Sequence, residues 1–317
     1  MQIIENTTEF HIPHKTAIAI GKFDGIHRGH KELLKCLESA KETGLKTAVF
    51  TFFPSPAAFF SNEEQKELTT HREKRALFEE MGIDYLVEYP FCKKTADVAP
   101  DRYVKEFLLD KMNGVLIAAG CDVGFGKGGK GDRKLLERLS LEYGFRLEII
   151  DKLKYQEREI SSTFVREEVL RGNMEKAEEL LGEPYFVSGM VEQGKKLGRR
   201  LGMPTANLYP AKDKLLPPNG VYFSKVSLNG IKYCGVTNIG NRPTVEDGNR
   251  ISVETFLLDF EEKIYGESIK VELLHYRRPE RRFENVEKLK AAVYENIREA
   301  EAYFGISRGK CNDIMNF

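Results

Sequence analysis

Apolar residues in the first half of the chain fall into short runs separated by amphipathic stretches. Such runs are typical of strands buried on both faces of a parallel sheet, and they cover residues 16–21, 46–53, 84–89, 114–120 and 145–150. Between the first two runs, apolar positions recur at helical spacing, with Gly44 as a typical helix stop; they are Leu33, Leu34, Leu37 and Ala40. The strand–helix–strand order predicts an α/β first half, a parallel sheet with helices on both faces.

From about residue 184 the pattern changes to short strand-like runs without helices between them. The runs cover residues 185–191, 220–228, 231–239, 251–260 and 268–274. Asn229-Gly230 separates two of them and predicts a two-residue hairpin turn. The second half is therefore predicted to be a small antiparallel β-barrel. A terminal helix should follow from about Glu284 to Phe304, with one apolar face formed by Leu289, Val293 and Ile297.

The region between the two patterns predicts the domain boundary. Residues 161–182 suggest two helices broken at Gly172-Asn173. We place the boundary after them, which gives domains at 1–183 and 184–305 and a C-terminal tail at 306–317. A chain of 317 residues is long enough for two domains at roughly 100–200 residues each.

Composition narrows the possible partners. Lys+Arg and Asp+Glu number 49 each, so the net charge is zero and provides no long-range attraction to nucleic acid or a membrane surface. No apolar run reaches the ~18 residues of a membrane helix, and the first residues lack the basic leader of a signal peptide. Five widely spaced cysteines predict reduced thiols and a cytoplasmic location. We therefore expect small-molecule partners, with no nucleic acid and no membrane.

The stretch GKFDGIHRGH, residues 21–30, lies between a predicted strand and a predicted helix. The unpaired N–H groups at a helix start form an anion site, and glycines let a ligand approach the backbone. His27 and His30 are three residues apart, so both can face one point and donate hydrogen bonds to a phosphate. Two surface histidines in an ordinary loop are the alternative. A metal site is disfavoured because no third ligand has suitable spacing.

Two further stretches support a nucleotide site. Residues 118–132 follow a predicted strand and contain six glycines, so their backbone amides can wrap a nucleotide. Residues 160–166, ISSTFVR, place hydroxyl groups and an arginine at a helix start. A flexible surface loop and simple helix capping, respectively, are the alternatives.

Together these motifs resemble the adenylyltransferase half of the bifunctional bacterial riboflavin kinase/FAD synthetase family. The order GxFDGxHxGH, G-x-D-x-x-FG and ISSTxxR carries the resemblance, which implies a Rossmann-like nucleotidyltransferase domain. By that resemblance, His27 and His30 hold the phosphates of ATP while the phosphate of FMN attacks the α-phosphorus, forming FAD and pyrophosphate. It also implies ATP- or phosphate-binding roles for Gly21, Phe23, Asp24, Gly25, Gly29, Asp122, Ser161, Ser162, Thr163 and Arg166. Val123 and Gly124 depart from the bulkier residues that the family often carries there.

The second half opens on GKKLGRRLGMPTANL, residues 194–208, which contains no P-loop motif. Its glycines and basic residues could form a cationic lid over ATP phosphates. Thr205 and Asn207 alternate on an extended run, so a hydroxyl and an amide oxygen can face the same side and bind Mg²⁺. A solvated basic loop followed by a proline-containing turn is the alternative.

This stretch is similar to the riboflavin kinase signature of the same family. The resemblance implies that Glu254 is the general base that takes the proton of the riboflavin 5′-hydroxyl as it attacks the γ-phosphorus of ATP, giving FMN. It implies Mg²⁺ in both steps, with Thr205 and Asn207 as its ligands in the kinase. The ATP-binding residues implied here are Gly194, Lys195, Gly198, Arg199, Gly202, Pro204, Thr205 and Asn207.

Two other functions remain open at this point. One is a flavin-binding storage or sensor protein with inactive sites, which the presence of every motif residue disfavours. The other is an HxGH nucleotidyltransferase for a different phosphate substrate, fused to an unrelated barrel. The PTAN run and Glu254 argue against it.

Overall fold

The computed structural model describes residues 1–61, 66–194, 203–244 and 248–306. The chain divides into two compact units. The first contains Met1–Arg166, Leu180–Gly182 and Asp213–Leu215. The second contains Glu167–Glu179, Glu183–Lys212 and Leu216–Phe317. The predicted limits at 183 and 305 stay predictions. Of the predicted tail, residues 307–317 lie outside the described residues.

The first unit is built on a six-stranded parallel sheet with the order β1-β4-β3-β2-β5-β6. Its strands are β1 Gln2–Glu5, β2 Thr16–Ile20, β3 Lys46–Phe53, β4 Tyr85–Pro90, β5 Gly114–Gly120 and β6 Arg146–Ile150. Every residue of β2 is buried, as expected for an unbroken apolar strand inside a parallel sheet. The five predicted strands are confirmed within a residue or two at their ends. Gln2–Glu5, a short edge strand, was not predicted.

Helices accompany this sheet and cover its core. They are α1 Arg28–Lys41, α2 Pro56–Phe60, α3 His71–Glu80, α4 Lys93–Ala96, α5 Pro100–Arg102 with its π-helical continuation Tyr103–Lys111, and α6 Arg133–Tyr143. A short 3₁₀ turn, Lys127–Gly129, and a small hairpin of β7 Lys154–Tyr155 and β8 Arg158–Glu159 complete the connections. The buried face of α1 consists of the four predicted residues Leu33, Leu34, Leu37 and Ala40.

The strand order creates a crevice at one place on the sheet. β2 has β3 on one side and β5 on the other, so the chain leaves β2 and β5 in opposite directions. In open parallel sheets, ligands bind beyond the carboxyl ends of the strands at such a switch point. The Gly21–His30 loop follows β2, and the glycine-rich 118–132 loop follows β5. The fold therefore brings two of the predicted motifs to one crevice.

Two helices, α7 Ser162–Arg171 and α8 Met174–Leu181, follow the small hairpin. They confirm the predicted pair and its break at Gly172-Asn173. Gly172 has a φ of +79°, a left-handed conformation that glycine adopts easily at a helix end.

The second unit is built on a six-stranded antiparallel sheet with the order β10-β13-β12-β11-β14-β9. Its strands are β9 Tyr185–Met190, β10 Ala206–Leu208, β11 Gly220–Leu228, β12 Ile231–Thr244, β13 Gly248–Leu257 and β14 Ser268–Pro279. Asn229 and Gly230 form the predicted hairpin turn, both with positive φ. The backbone N–H of Glu192 donates to the carbonyl of Asn207 at 2.8 Å, which joins the two ends of the curled sheet. The predicted barrel is confirmed.

The terminal helix α9, Val286–Phe304, begins two residues later than predicted. Asn285 caps it by accepting a hydrogen bond from the backbone N–H of Lys288 at 2.8 Å. Ile297 and Ala300 pack against apolar residues of the barrel, among them Val221 and Phe223. Within the described ranges, no helix combines the length and apolar character needed to span a bilayer.

Candidate active sites

A pocket of about 480 Å³ occupies the crevice of the parallel sheet. Its walls come from the ends of β2, β3, β5 and β6 and from the start of α7. Seven predicted residues line it: Gly21, His27, Gly29, His30, Asp122, Ser161 and Ser162. Val123 of the glycine-rich loop lines it as well. The sequence motifs of the first half therefore meet at one cavity, with an apolar wall that includes Phe50, Phe52, Tyr103 and Phe125.

His27 and His30 lie together at the start of α1. His27 is the N-cap residue, and its Nδ1 accepts a hydrogen bond from the backbone N–H of His30 at 3.4 Å. The two imidazole rings stack with their centroids 3.8 Å apart and their planes 19° apart. Because His27 Nδ1 is the acceptor, its proton is assigned to Nε2. His30 Nδ1 is buried and has no hydrogen-bond partner in the described part of the chain.

Burial keeps both rings neutral at pH 7. It lowers the pKa of His27 to about 4, although Asp24 and Asp122 favour the charged form. Burial also lowers the pKa of His30 well below its ordinary value, with a further contribution from His27. Neutral imidazoles still donate one hydrogen bond each. The approach of a polyphosphate would raise both pKa values, because a nearby negative charge stabilises the protonated ring.

The loop before α1 adopts an unusual backbone. Phe23 and Ile26 have φ values of +53° and +41°, and Gly25 has +86°. A Cβ atom on Gly25 would lie 2.8 Å from Cδ1 of Leu68, so both its backbone and its neighbour require glycine. Such strain persists only where the surroundings impose it, and it is common at ligand-binding loops.

Asp24 connects this loop to neighbouring segments of the first unit. Its carboxylate is 1% exposed and accepts hydrogen bonds from the backbone N–H of Leu68 at 2.7 Å and from Arg166 Nη2 at 2.7 Å. Asp24 and Arg166 do not line the pocket, and the buried Phe23 and Gly25 do not line it either. Their predicted contact with ATP stays a prediction, whereas the structure gives Asp24 and Arg166 a clear role in shaping the loop.

The three hydroxyl residues of the ISSTxxR motif occupy different positions. Ser161 caps α7 by accepting a hydrogen bond from the backbone N–H of Phe164 at 3.2 Å. Ser162 donates to the backbone carbonyl of Asp24 at 2.8 Å, and both serines line the pocket. Thr163 is exposed and is not part of the pocket wall.

Charged side chains also line the pocket. Asp122 forms an ion pair with Lys152 at 3.1 Å, and Lys152 also pairs with Glu159 at 2.8 Å. Lys22 and Lys152 both line the pocket, but the sequence reasoning did not select them. Lys22 lies inside the recognised motif, so its position could have suggested it. Lys152 follows β6 without any motif around it.

In the second unit, Thr205 and Asn207 lie side by side. The amide group of Asn207 donates to the carbonyl of Thr205 at 2.9 Å and to its hydroxyl at 3.3 Å. Asn207 is 5% exposed. A hydroxyl and an amide this close are hard oxygen donors of the kind that suits Mg²⁺, which commonly takes one or two protein ligands and completes its shell with phosphates and water. The two residues therefore fit the predicted ion.

Glu254 lies directly beside this pair. It is opposite Asn207 in the register of β10 and β13, and opposite Asn238 in the register of β12 and β13. Residues paired in this way share a face of the sheet. The hydroxyl of Ser252 donates to the carboxylate of Glu254 at 3.3 Å. Asn238, which the sequence reasoning did not select, thus lies on the same face as Glu254 and Asn207.

Gly194 lies against the same group. A Cβ atom at this position would be 2.7 Å from Oδ1 of Asn207, so only glycine fits without displacing that side chain. Pro204 is exposed and, with Thr205, borders a small separate pocket of about 40 Å³. Four predicted ATP-binding residues lie outside the described residues: Lys195, Gly198, Arg199 and Gly202.

Comparison with known proteins settles the family. The FAD synthetase family model matches residues 9–164, and the riboflavin kinase family model matches residues 181–304. The bifunctional riboflavin kinase/FMN adenylyltransferase of Listeria monocytogenes is 35% identical over 90% of this chain and 92% of its own length. That of Escherichia coli is 37% identical over 92% and 93%. This chain belongs to the bifunctional riboflavin kinase/FMN adenylyltransferase family.

The resemblance predicted from the motifs is thereby confirmed. The enzyme has riboflavin kinase and FAD synthetase activities, and its substrates are riboflavin, FMN and ATP. A solved structure described as a macrolide-efflux protein from Streptococcus pneumoniae shares the fold, with a TM-score of 0.83 and 28% identity. It covers 94% of this chain and 98% of its own.

Proposed function

We propose that the two activities of this enzyme are divided between the two units: the first adenylylates FMN and the second phosphorylates riboflavin. The observation that carries the division is that the stacked His27 and His30 and the Thr205–Asn207–Glu254 group belong to different units. Each group has the side chains that its own reaction needs: hydrogen-bond donors to phosphate in the first unit, and metal ligands with a general base in the second. Thr163, Phe23 and Gly25 remain predicted phosphate contacts of the first site.

In the first unit, the phosphate chain of ATP would lie across the start of α1. A phosphate oxygen of FMN attacks the α-phosphorus, the bond from that phosphorus to the bridging oxygen breaks, and pyrophosphate leaves. His27 Nε2 and the backbone N–H groups of α1 donate hydrogen bonds to the oxygens that gain charge. Lys22 and Lys152 supply positive charge at the pocket wall. The protein thus positions the reacting groups and stabilises their charge.

The apolar wall of the same pocket suits a flat aromatic ring. Phe50, Phe52, Tyr103 and Phe125 contribute ring faces and edges there. Aromatic side chains bind planar ring systems by stacking and by edge contacts. The adenine of ATP or the isoalloxazine of FMN would occupy this wall, and Val123 and Gly124 of the pocket leave room for it.

In the second unit, Glu254 would act as the general base. Its carboxylate accepts the proton of the riboflavin 5′-hydroxyl while that oxygen attacks the γ-phosphorus, and ADP leaves. Thr205 and Asn207 would hold Mg²⁺, which neutralises phosphate charge when it is bound. Asn238 on the other side of Glu254 could hold a hydroxyl of the ribityl chain or orient the carboxylate.

A cytoplasmic location remains a prediction from cysteine usage.

Reciprocal variants test this division. The enzyme is incubated with ATP and magnesium plus either riboflavin or FMN, and the flavins are separated by chromatography. We expect Glu254→Gln to abolish FMN formation while FAD formation from supplied FMN continues. We expect His30→Ala to lower FAD formation by about 100-fold while FMN formation continues. Loss of both activities in either variant would contradict the division, and unchanged FAD formation in His30→Ala would remove the phosphate site from α1.

A further inference from the structure

A short segment from the interior of the region matched by the riboflavin kinase model belongs to the first unit. The segment is Asp213–Leu215, and it runs alongside Glu67 as a short parallel bridge. The backbone N–H of Glu67 donates to the carbonyl of Asp213 at 2.6 Å, and the N–H of Leu215 donates to the carbonyl of Glu67 at 2.8 Å. The middle residue, Lys214, is thereby held against the segment that precedes α3.

The side chain of Lys214 is buried, and its ammonium group is hydrogen-bonded. Its side chain is 1% exposed, and its ammonium group donates to the Glu73 carboxylate at 2.8 Å and to the Leu68 carbonyl at 2.6 Å. Glu73 is 2% exposed and also accepts a hydrogen bond from the backbone N–H of Thr70 at 2.9 Å. A buried ion pair of this kind rarely stabilises a fold more than apolar residues of the same size would. Its geometry therefore calls for another explanation.

The segment that Lys214 holds is the one that holds Asp24. The carbonyl of Leu68 accepts from Lys214, and the backbone N–H of the same residue donates to Asp24. The next residue, Thr69, accepts a hydrogen bond through its hydroxyl from the backbone N–H of Gly25 at 3.1 Å. Residues 68 and 69 thus connect the ammonium group of Lys214 to the strained loop that ends at His27.

We infer that Lys214 is a positioning residue of the adenylyltransferase site, a role that rests on the function proposed above for the Gly21–His30 loop. It touches neither substrate nor reacting atoms. It fixes the position of residues 68–73 through Leu68 and Glu73. Residues 68 and 69 in turn hold Asp24 and Gly25, and the loop held in this way sets the direction of His27 and His30. A small displacement of a catalytic constellation can cost up to about 100-fold in rate.

The first test is Lys214→Met, which keeps an unbranched side chain only one atom shorter and removes its charge and its donors. We expect kcat/KM for FAD formation from supplied FMN to fall about tenfold or more. FMN formation from riboflavin should stay within about twofold of wild type, because the hydrogen bonds described above join Lys214 to Leu68 and Glu73 of the first unit. Lys212→Met, an exposed lysine two residues earlier, is the matched control and should change neither activity.

A second variant separates positioning from simple charge balance. Lys214→Met alone leaves the Glu73 carboxylate buried without its cation, which lowers the melting temperature. The double variant Lys214→Met/Glu73→Gln removes both charges, and its glutamine can still accept from the backbone N–H of Thr70. We expect the double variant to recover most of the melting temperature but not FAD formation, because the carbonyl of Leu68 still lacks its donor.

Three results would overturn the inference. They are full FAD formation in Lys214→Met, recovery of FAD formation in the double variant, and equal loss of both activities in the double variant. His30→Ala, assayed beside these variants, shows whether a negative result contradicts only the role of Lys214 or also the proposed function. If His30→Ala keeps FAD formation, the proposed site is wrong. If it loses FAD formation while Lys214→Met keeps it, only the role of Lys214 is wrong.

Discussion

Arg166 donates a hydrogen bond to the buried carboxylate of Asp24 at 2.7 Å, although the two residues are 142 positions apart in the chain. The guanidinium also donates to the backbone carbonyl of Lys66 at 2.6 Å. One arginine near the start of α7 thus joins the loop after β2 to the segment before α3. This contact therefore fixes the position of the loop after β2, which lines the pocket, relative to two segments that are distant in the chain.

Asp24→Asn should therefore damage both the fold and the chemistry of the first unit. The substitution keeps the shape of the side chain but leaves the partly exposed Arg166 facing a neutral amide, which costs about 1–3 kcal/mol. We expect the free energy of unfolding to fall by that order, measured by urea titration, and FAD formation to fall by about 100-fold. Glu137→Gln, which removes a surface ion pair with Arg133 in the same unit, is the control and should leave the midpoint unchanged. An unaffected Asp24→Asn would mean that the anchor is dispensable.

The buried His27 makes stability depend on pH. Its pKa of about 4 in the folded protein lies below the ordinary value of 6.5, so the unfolded chain binds more protons between these two values. The contribution of His27 is fully present above pH 6.5 and is lost as the pH falls towards 4; it amounts to about 3 kcal/mol. Urea titrations at several pH values should show a steeper loss of stability in wild type than in His27→Gln. Parallel curves for the two proteins would show that His27 titrates normally.

Gly194→Ala should weaken magnesium use in the kinase without affecting FAD formation. The new Cβ would lie 2.7 Å from Oδ1 of the buried Asn207 and would displace that side chain from Thr205. We expect the magnesium concentration for half-maximal FMN formation to rise about tenfold. Gly189→Ala in β9 is the control, because its Cβ would make only an ordinary contact, 3.6 Å from Leu208. An unchanged magnesium requirement would argue against Asn207 as a ligand.

A row of three buried hydroxyls crosses the barrel from β11 to β13. Thr237 Oγ1 lies 2.7 Å from Ser224 Oγ and 2.8 Å from Thr255 Oγ1, and all three residues are fully buried. Thr237→Val removes the central group and leaves its neighbours unsatisfied, which should cost about 1–3 kcal/mol in unfolding free energy. Ser227→Ala, a half-buried position of β11, should cost less than about 0.5 kcal/mol. Equal effects of the two substitutions in thermal unfolding would show that the row adds nothing.

Local pattern was sufficient to predict most of the elements. Unbroken apolar runs identified β2 to β6, and helical spacing identified the buried face of α1. β1 was missed because only Ile4 of its four residues is even half-buried, so its edge position leaves no apolar pattern. For the terminal helix, Ile297 was correctly placed on the buried face, whereas the deepest position, Ala300, was not selected because a small residue adds little to periodicity.

The site was predictable only where motif residues themselves line it. His27, His30, Ser161 and Ser162 meet at the pocket because each lies at the end of an element that the strand order brings there. Lys152 and Lys214 gave no signal. Lys214 lies 141 positions from Glu73, and only the folded chain shows that it is buried beside that carboxylate.

The chain passes between the two units five times, after residues 166, 179, 182, 212 and 215. No single cut can therefore release either unit whole. A chimera that joins the first half of this enzyme to the second half of a relative would receive a foreign tripeptide in place of Asp213–Leu215. Exchange of halves between family members should succeed only when the donor of the second half also supplies a lysine that can pair with the buried Glu73.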